Sequence, residues 1–142
     1  MTTVDQLLKH KGRKVHAIGP DDTVFNAIRK MAERDIGSLI VVENEQPIGI
    51  FTERHYARNV FLKGKSSPKT SVRHAMSDRP VFVRPEQTVE ECMAIMTKNK
   101  IRHLPVLDGE TLAGVISIGD LVQSTIADQK FSIEQLEHYI HS

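Results

Sequence analysis

The chain has 142 residues, 39% of them apolar and 26% charged, with a formal net charge of +1 at pH 7. That is the make-up of an ordinary globular protein, long enough for one domain or for two small units sharing a core. A near-neutral balance gives no general attraction to nucleic acid or anionic membrane. No apolar run reaches the ~18 residues that cross a bilayer, and a lone Cys92 excludes an intrachain disulfide framework.

The opening stretch, MTTVDQLLKHKGRK, has no apolar signal core, so a cytoplasmic protein is expected, with a short helix over Val4–Lys9. Ala17-Ile18 reads as a short strand stopped by Gly19-Pro20. Thr23 is placed to cap a helix whose apolar residues, Val24, Ala27, Ile28 and Met31, follow the i, i+3, i+4, i+7 rule of one buried stripe. Leu39-Ile40-Val41-Val42 suits a strand buried on both faces. The polar turn Glu43-Asn44-Glu45 leads into a second strand, Ile48–Thr52, and then a helix over Glu53–Phe61. KGKSSPKT, Lys63–Thr70, is a linker by composition.

The chain then repeats itself. Displaced by 65 residues, Pro20–Tyr56 lies on Pro85–Leu121 without a gap. The identities include Pro20/Pro85, Thr23/Thr88, Val24/Val89, Met31/Met96, Leu39/Leu104, Val41/Val106 and Gly49/Gly114. Val81-Phe82-Val83 thus becomes a strand, Thr88 a cap with Glu91 at capping-box spacing, and Val89, Cys92, Met93 and Met96 the buried stripe. Cys92 therefore belongs to the core rather than to a reactive site. Strands over Leu104–Leu107 and Leu112–Ser117 flank an Asp108-Gly109-Glu110 turn, and a helix follows over Gly119–Ala127. A separate last helix, SIEQLEHYIH, carries Ile133, Leu136, Tyr139 and Ile140, a stripe expected to dock on the module or on a second subunit. Its His138 and His141 read as surface residues, not as metal ligands.

Ser117-Ile118-Gly119-Asp120 closes the second copy. Taken alone, Ser-x-x-Asp is a capping box at a strand-to-helix junction. Within the duplicated frame it takes a second, compatible meaning. The stretch PEQTVEECMAIMTKNKIRHLPVLDGETLAGVISIGDL closely resembles a CBS domain, named after cystathionine β-synthase, and Ala17–Ala127 resembles a pair of them. FTERHYARNVFLKGKSS followed by IRHLPV and SIGDL resembles a subgroup of small stand-alone CBS-pair proteins, whose usual first-copy motif is Phe-Thr-Glu-Arg-Asp-Tyr. The resemblance implies an α+β fold of tandem β-α-β-β-α motifs packed sheet against sheet about a pseudo-twofold axis, with short terminal helices. The implied organisation is 1–14 lead-in, 15–62 first motif, 63–79 linker and short helix, 80–128 second motif, 129–142 C-terminal helix.

It also implies a regulatory, non-enzymatic module that binds AMP, ADP, ATP, NAD(H) or S-adenosylmethionine in clefts between the copies. Such a module forms a homodimer and reports occupancy to an effector protein. Asp120 is the candidate for the ribose diol, because one carboxylate can accept from two adjacent hydroxyls. Ser117 with the amides of Ile118, Gly119 and Asp120 would meet phosphate at a helix N-terminus, with charge from Arg102 and His103. By the family's arrangement the adenine slot uses His16, Ala17, Ile18, Ile36, Gly37 and Ser38. A second pocket would use Thr52, Arg54 and His55, with Val81, Phe82 and the Arg102-His103 pair facing it, and with Arg54, Tyr56, Arg58, Lys63 and Lys65 nearby for a second phosphate or another ligand half. There His55 stands where the family has aspartate, and a neutral imidazole has one acceptor while a protonated one has none. The two pockets are therefore expected to be unequal, with the Asp120 pocket the better adenosine site and the His55 pocket weaker or pH-dependent.

Three other readings compete with this one. An enzyme lacks support, since no nucleophile–base pair, Gly-rich phosphate loop or zinc spacing is present. Nucleic-acid binding rests only on the basic stretch Lys63–His74, which has no aromatic for stacking. A ligand-free interaction module is the main alternative.

Overall fold

The computed structural model describes residues 1–141. In chain order its elements are α1 (Val4–Lys11), β1 (Ala17–Ile18), α2 (Val24–Arg34), β2 (Ser38–Glu43), β3 (Gln46–Thr52) and α3 (Glu53–Tyr56). After these come α4 (Val89–Asn99), β4 (His103–Asp108), β5 (Thr111–Ser117) and α5 (Ile118–His141). The chain divides into two compact units. One is Lys14–Val81; the other combines Met1–Arg13 with the chain from Phe82 onward.

The Lys14–Val81 unit holds a three-stranded sheet in the order β1-β2-β3. β1 runs parallel to β2, with Ala17 opposite Ile40, and β2 runs antiparallel to β3, with Ser38 opposite Thr52 and an irregularity at Val41/Val42. The Thr23 hydroxyl accepts from the Asn26 N–H and starts α2. Val24, Ala27 and Met31 of that helix pack with Leu39, Val41, Phe51 and Val60 into one buried cluster. α3 is only one turn and passes into a π-turn over Ala57–Phe61, so the expected helix over Glu53–Phe61 is present but over-wide in its second half.

The second unit repeats the hairpin. β4 pairs antiparallel with β5, His103 lies opposite Ser117, and the irregularity recurs at Val106/Leu107. The expected strand Val81–Val83 shrinks to a single parallel bridge from Val83 to Val106. The reason is chemical. In the other unit the Ile40 N–H donates to the His16 carbonyl at 3.0 Å; the residue at the equivalent place is Pro105, which has no N–H to give. The first long helix of each motif, α2 and α4, ends on a left-handed residue that is not glycine, Asp35 at φ 53° and Lys100 at φ 54°. Cys92 is fully buried and its thiol is pushed up to about 11 by that burial, as a core residue should be.

Two regions expected to be peripheral are integral. Residues of the linker region form 3-10 turns at Ser67–Lys69 and Val72–His74, and Val72 and Ala75 are buried in the cluster. The linker docks because Val72 N–H donates to the Asp22 carbonyl and Arg73 N–H to the Pro20 carbonyl, both at 2.9 Å. The N-terminal segment does the same in its own unit: Val4 N–H donates to Gln87 O at 2.8 Å and Asp5 N–H to Pro85 O at 2.9 Å. Thr2–Leu8 is thus the counterpart of Thr70–Met76. Each stretch rests on the turn before a motif's first long helix.

The C-terminal half differs from expectation too. No break separates Gly119–Ala127 from SIEQLEHYIH; α5 runs unbroken over 24 residues. Between Gly119 and His141 there is neither glycine nor proline, so nothing stops the helix. Among the described residues, no helix is long and apolar enough to cross a membrane.

Candidate functional site

Each motif ends its hairpin at a hydroxyl residue and turns directly into a helix. Thr52 Oγ1 accepts from the His55 N–H at 3.2 Å, and the Thr52 N–H donates back to His55 Nδ1 at 3.1 Å. Ser117 Oγ accepts from the Asp120 N–H at 3.2 Å, and the Ser117 N–H donates to Asp120 Oδ2 at 2.8 Å. The next amide in each case returns to the preceding turn, Glu53 N–H to Gly37 O at 3.3 Å and Ile118 N–H to Arg102 O at 2.9 Å. These are two reciprocal capping boxes built on one plan. Gly37 with Ser38 and Arg102 with His103 are thereby held beside their junctions.

At the second junction the Asp120 carboxylate has a partner that the motif does not contain. Lys11 Nζ of α1 lies 2.5 Å from Asp120 Oδ2 and also donates to the Val115 carbonyl at 2.6 Å. The Asp120 side chain is 19% exposed and Lys11 37%. Both line a cavity of about 340 Å³ walled by α1 and α5, with Gln6, Leu7, His10 and Gln123. A positioned carboxylate, an adjacent ammonium, an apolar wall and a helix N-terminus suit a ligand that carries both hydroxyls and negative charge. Ile118 and Gly119 are exposed on the first turn, Arg102 is exposed beside it, and His103 is half-buried opposite Ser117.

Lys11 belongs to none of the motifs described above. Its signal was present nonetheless: Thr2-Thr3-Val4 echoes Thr70-Ser71-Val72 at an offset of 68 residues, not the 65 of the motifs.

At the first junction the chemistry changes. His55 stacks on Phe51, with ring centroids 6.5 Å apart and planes inclined by 27°. Burial, followed by the charges of Arg58 and Arg54, holds its imidazole below the usual histidine range. Since Nδ1 accepts the Thr52 N–H, the neutral ring carries its proton on Nε2. The place that Asp120 holds at the second junction is taken here by His55, and the carboxylate of this first turn, Glu53, is exposed. Arg54 and Arg58 are exposed, whereas Tyr56 is half-buried and its hydroxyl accepts from Ser67 Oγ at 3.3 Å, tying it to the linker.

The strand-opening residues of that unit meet a basic helix. Ala17 and Ile18 line a concavity of about 490 Å³ with Arg29, Lys30 and Arg34 of α2. Lys30 Nζ donates to the Ala17 carbonyl at 2.5 Å. Burial, then Lys14, Arg34 and Lys30, keeps the His16 imidazole below its ordinary range. Ile36, Gly37, Ser38 and Val81 are half-buried in this unit, as is Phe82 in the other.

A family model described as CBS domain matches residues 11–61 and 72–126. A solved CBS-domain protein from Burkholderia ambifaria is 50% identical, with a TM-score of 0.87 over 90% of this chain and 96% of that one. Another from Agrobacterium tumefaciens is 38% identical, with a TM-score of 0.83 over 87% and 93%. The mitochondrial CBS domain-containing protein CBSX3 of Arabidopsis thaliana is 34% identical over 148 residues, spanning 98% of this chain and 72% of the relative.

Proposed function

The chain belongs to the CBS domain family, and from that premise we propose that it is a regulatory module binding an adenine nucleotide. Stand-alone proteins of this type are generally regulatory and ligand-binding rather than enzymes, and the Burkholderia relative is described as a candidate signal-transduction protein. The observation that carries the reading is Asp120. Its carboxylate is fixed by the Ser117 N–H on one side and the Lys11 ammonium on the other, both on Oδ2, beside a helix N-terminus. Such a carboxylate can accept a ribose diol while Lys11 and the first-turn amides meet phosphate. A cation at this place favours AMP, ADP, ATP or NAD(H) over the cationic S-adenosylmethionine. Occupancy is then passed to an effector protein, because a ligand that prefers one arrangement of the module shifts its population.

A ligand-free interaction module is the second reading, and His55 is what favours it. Where the second motif has a carboxylate, the first has a neutral ring already engaged by its own backbone. Thermal denaturation with AMP, ADP, ATP, NAD⁺, NADH and S-adenosylmethionine separates the two. A ligand at about 100 times its Kd adds roughly 2.7 kcal/mol, a rise of several degrees. Stabilisation by phosphate-bearing ligands that disappears in Asp120→Asn supports nucleotide binding. The asparagine keeps an oxygen for the Ser117 N–H, so the cap survives. No shift with any of the six supports the second reading.

A further inference from the structure

From Ile126 through His141 every residue of α5 is exposed in the single chain. About 16 residues of helix, roughly 24 Å, are therefore held at their start by little more than the Thr2 hydroxyl donating to Asp128 Oδ2 at 2.9 Å, and helices of that length are marginal in water. This stretch is not polar. Ile126, Ile133, Leu136 and Ile140 are 58%, 55%, 63% and 74% exposed. With Gln129 they recur at alternating intervals of three and four residues, a heptad seam rather than the broader stripe of a core-facing helix.

We propose that this seam is a self-association surface, paired antiparallel with the same seam of a second copy. The flanking charges choose the occupant and the direction. On one side of the seam stand Lys130 and Glu137, on the other Ser132 and Tyr139. When Ile133 packs on the partner's Leu136, antiparallel geometry sets Lys130 against the partner's Glu137 and Glu137 against the partner's Lys130. The twofold axis makes both ion pairs at once. Gln129 then faces the partner's Ile140 at the two margins of the overlap, where water still reaches it. A parallel pair does worse on each count: it buries Gln129 against its own copy and sets Lys130 and Glu137 opposite hydroxyls.

The test is sedimentation velocity of the full chain over a concentration series. The expected result is a reversible two-copy step, weakened more than tenfold in Leu136→Asp, whose site is exposed in the monomer. Lys130→Glu, which sets like charges face to face, weakens it about tenfold, and Lys130→Glu with Glu137→Lys restores it. Circular dichroism confirms that each variant folds. A wild-type chain that never self-associates, or a Leu136→Asp chain that associates unchanged, overturns the proposal. Failure of the double exchange to restore association overturns the antiparallel pairing. If another face also associates, Leu136→Asp removes one step and leaves the other.

Discussion

Lys11 and Asp120, 109 residues apart in sequence, share an ion pair at 2.5 Å, and the oxygen that Lys11 holds is the one that accepts the Ser117 N–H. Because both side chains are partly exposed, Lys11→Met is expected to lower stability by no more than about 1 kcal/mol. Its effect on ligands should be larger and selective. Losing the cation leaves a nucleotide phosphate beside an uncompensated carboxylate, so ATP affinity should fall about tenfold while uncharged adenosine changes little. Isothermal titration with both ligands checks this. An equal loss for both would show that Lys11 acts only by packing.

His55 gives the first motif an acid sensitivity. Its folded pKa lies below that of the unfolded chain, so its contribution to stability is complete above about pH 6.5. That contribution is lost as pH falls from there through the folded value, because protonation removes the acceptor for the Thr52 N–H. His55→Asp keeps an acceptor at the same place and does not titrate in this window. Denaturant melts at pH 7.5 and pH 5.5 should show a smaller loss for His55→Asp than for the wild type. Some loss persists, since His16 is shifted in the same direction.

Gly49 and Gly114 occupy one place in the repeat but meet different neighbours. A Cβ on Gly49 would lie 2.5 Å from the backbone oxygen of Ser77 and 2.8 Å from Met76 Sδ. On Gly114 it would lie 2.8 Å from Leu8 Cδ2, the end of a movable side chain. Alanine at Gly49 should therefore cost about 3 kcal/mol and alanine at Gly114 about 1 kcal/mol. Equilibrium unfolding of the two variants checks the order.

Asp35 ends α2 with φ at 53°, a conformation that glycine adopts without steric cost. Asp35→Gly should raise stability by about 1 kcal/mol, read as an increase in Tm of several degrees.

Much of this architecture is legible without coordinates. Thr23 and Thr88 cap their helices, and the apolar runs from Leu39 and Leu104 form the buried strands, because spacing and β-branching leave few alternatives. The features that carry no local sequence signal lack it for physical reasons. Asp35 and Lys100 stop helices where glycine would have advertised the stop. Pro105 shortens the strand opposite it, an effect visible only once the pairing partner is known. Lys11 was hidden because local patterns say nothing about which distant unit a segment joins. Ser117 and Asp120 were legible as a pair; that their carboxylate would already be engaged was not.

The placement of Met1–Arg13 with the chain beyond Phe82 has a bearing on biogenesis. Lys14–Val81 has all its sequence available once the ribosome has passed residue 81 and can fold while synthesis continues. The segment ahead of Lys14 is among the last to find its place, for Leu8 and Lys11 wait until the β5 strand has emerged. Closure of that unit joins the two ends of the chain's second half to its start, a contact of high sequence separation and hence the slow step. A rearranged chain in which residues 1–13 are moved to stand between Val81 and Phe82 would make those contacts local, and its second unit should fold faster than it does in the natural chain order.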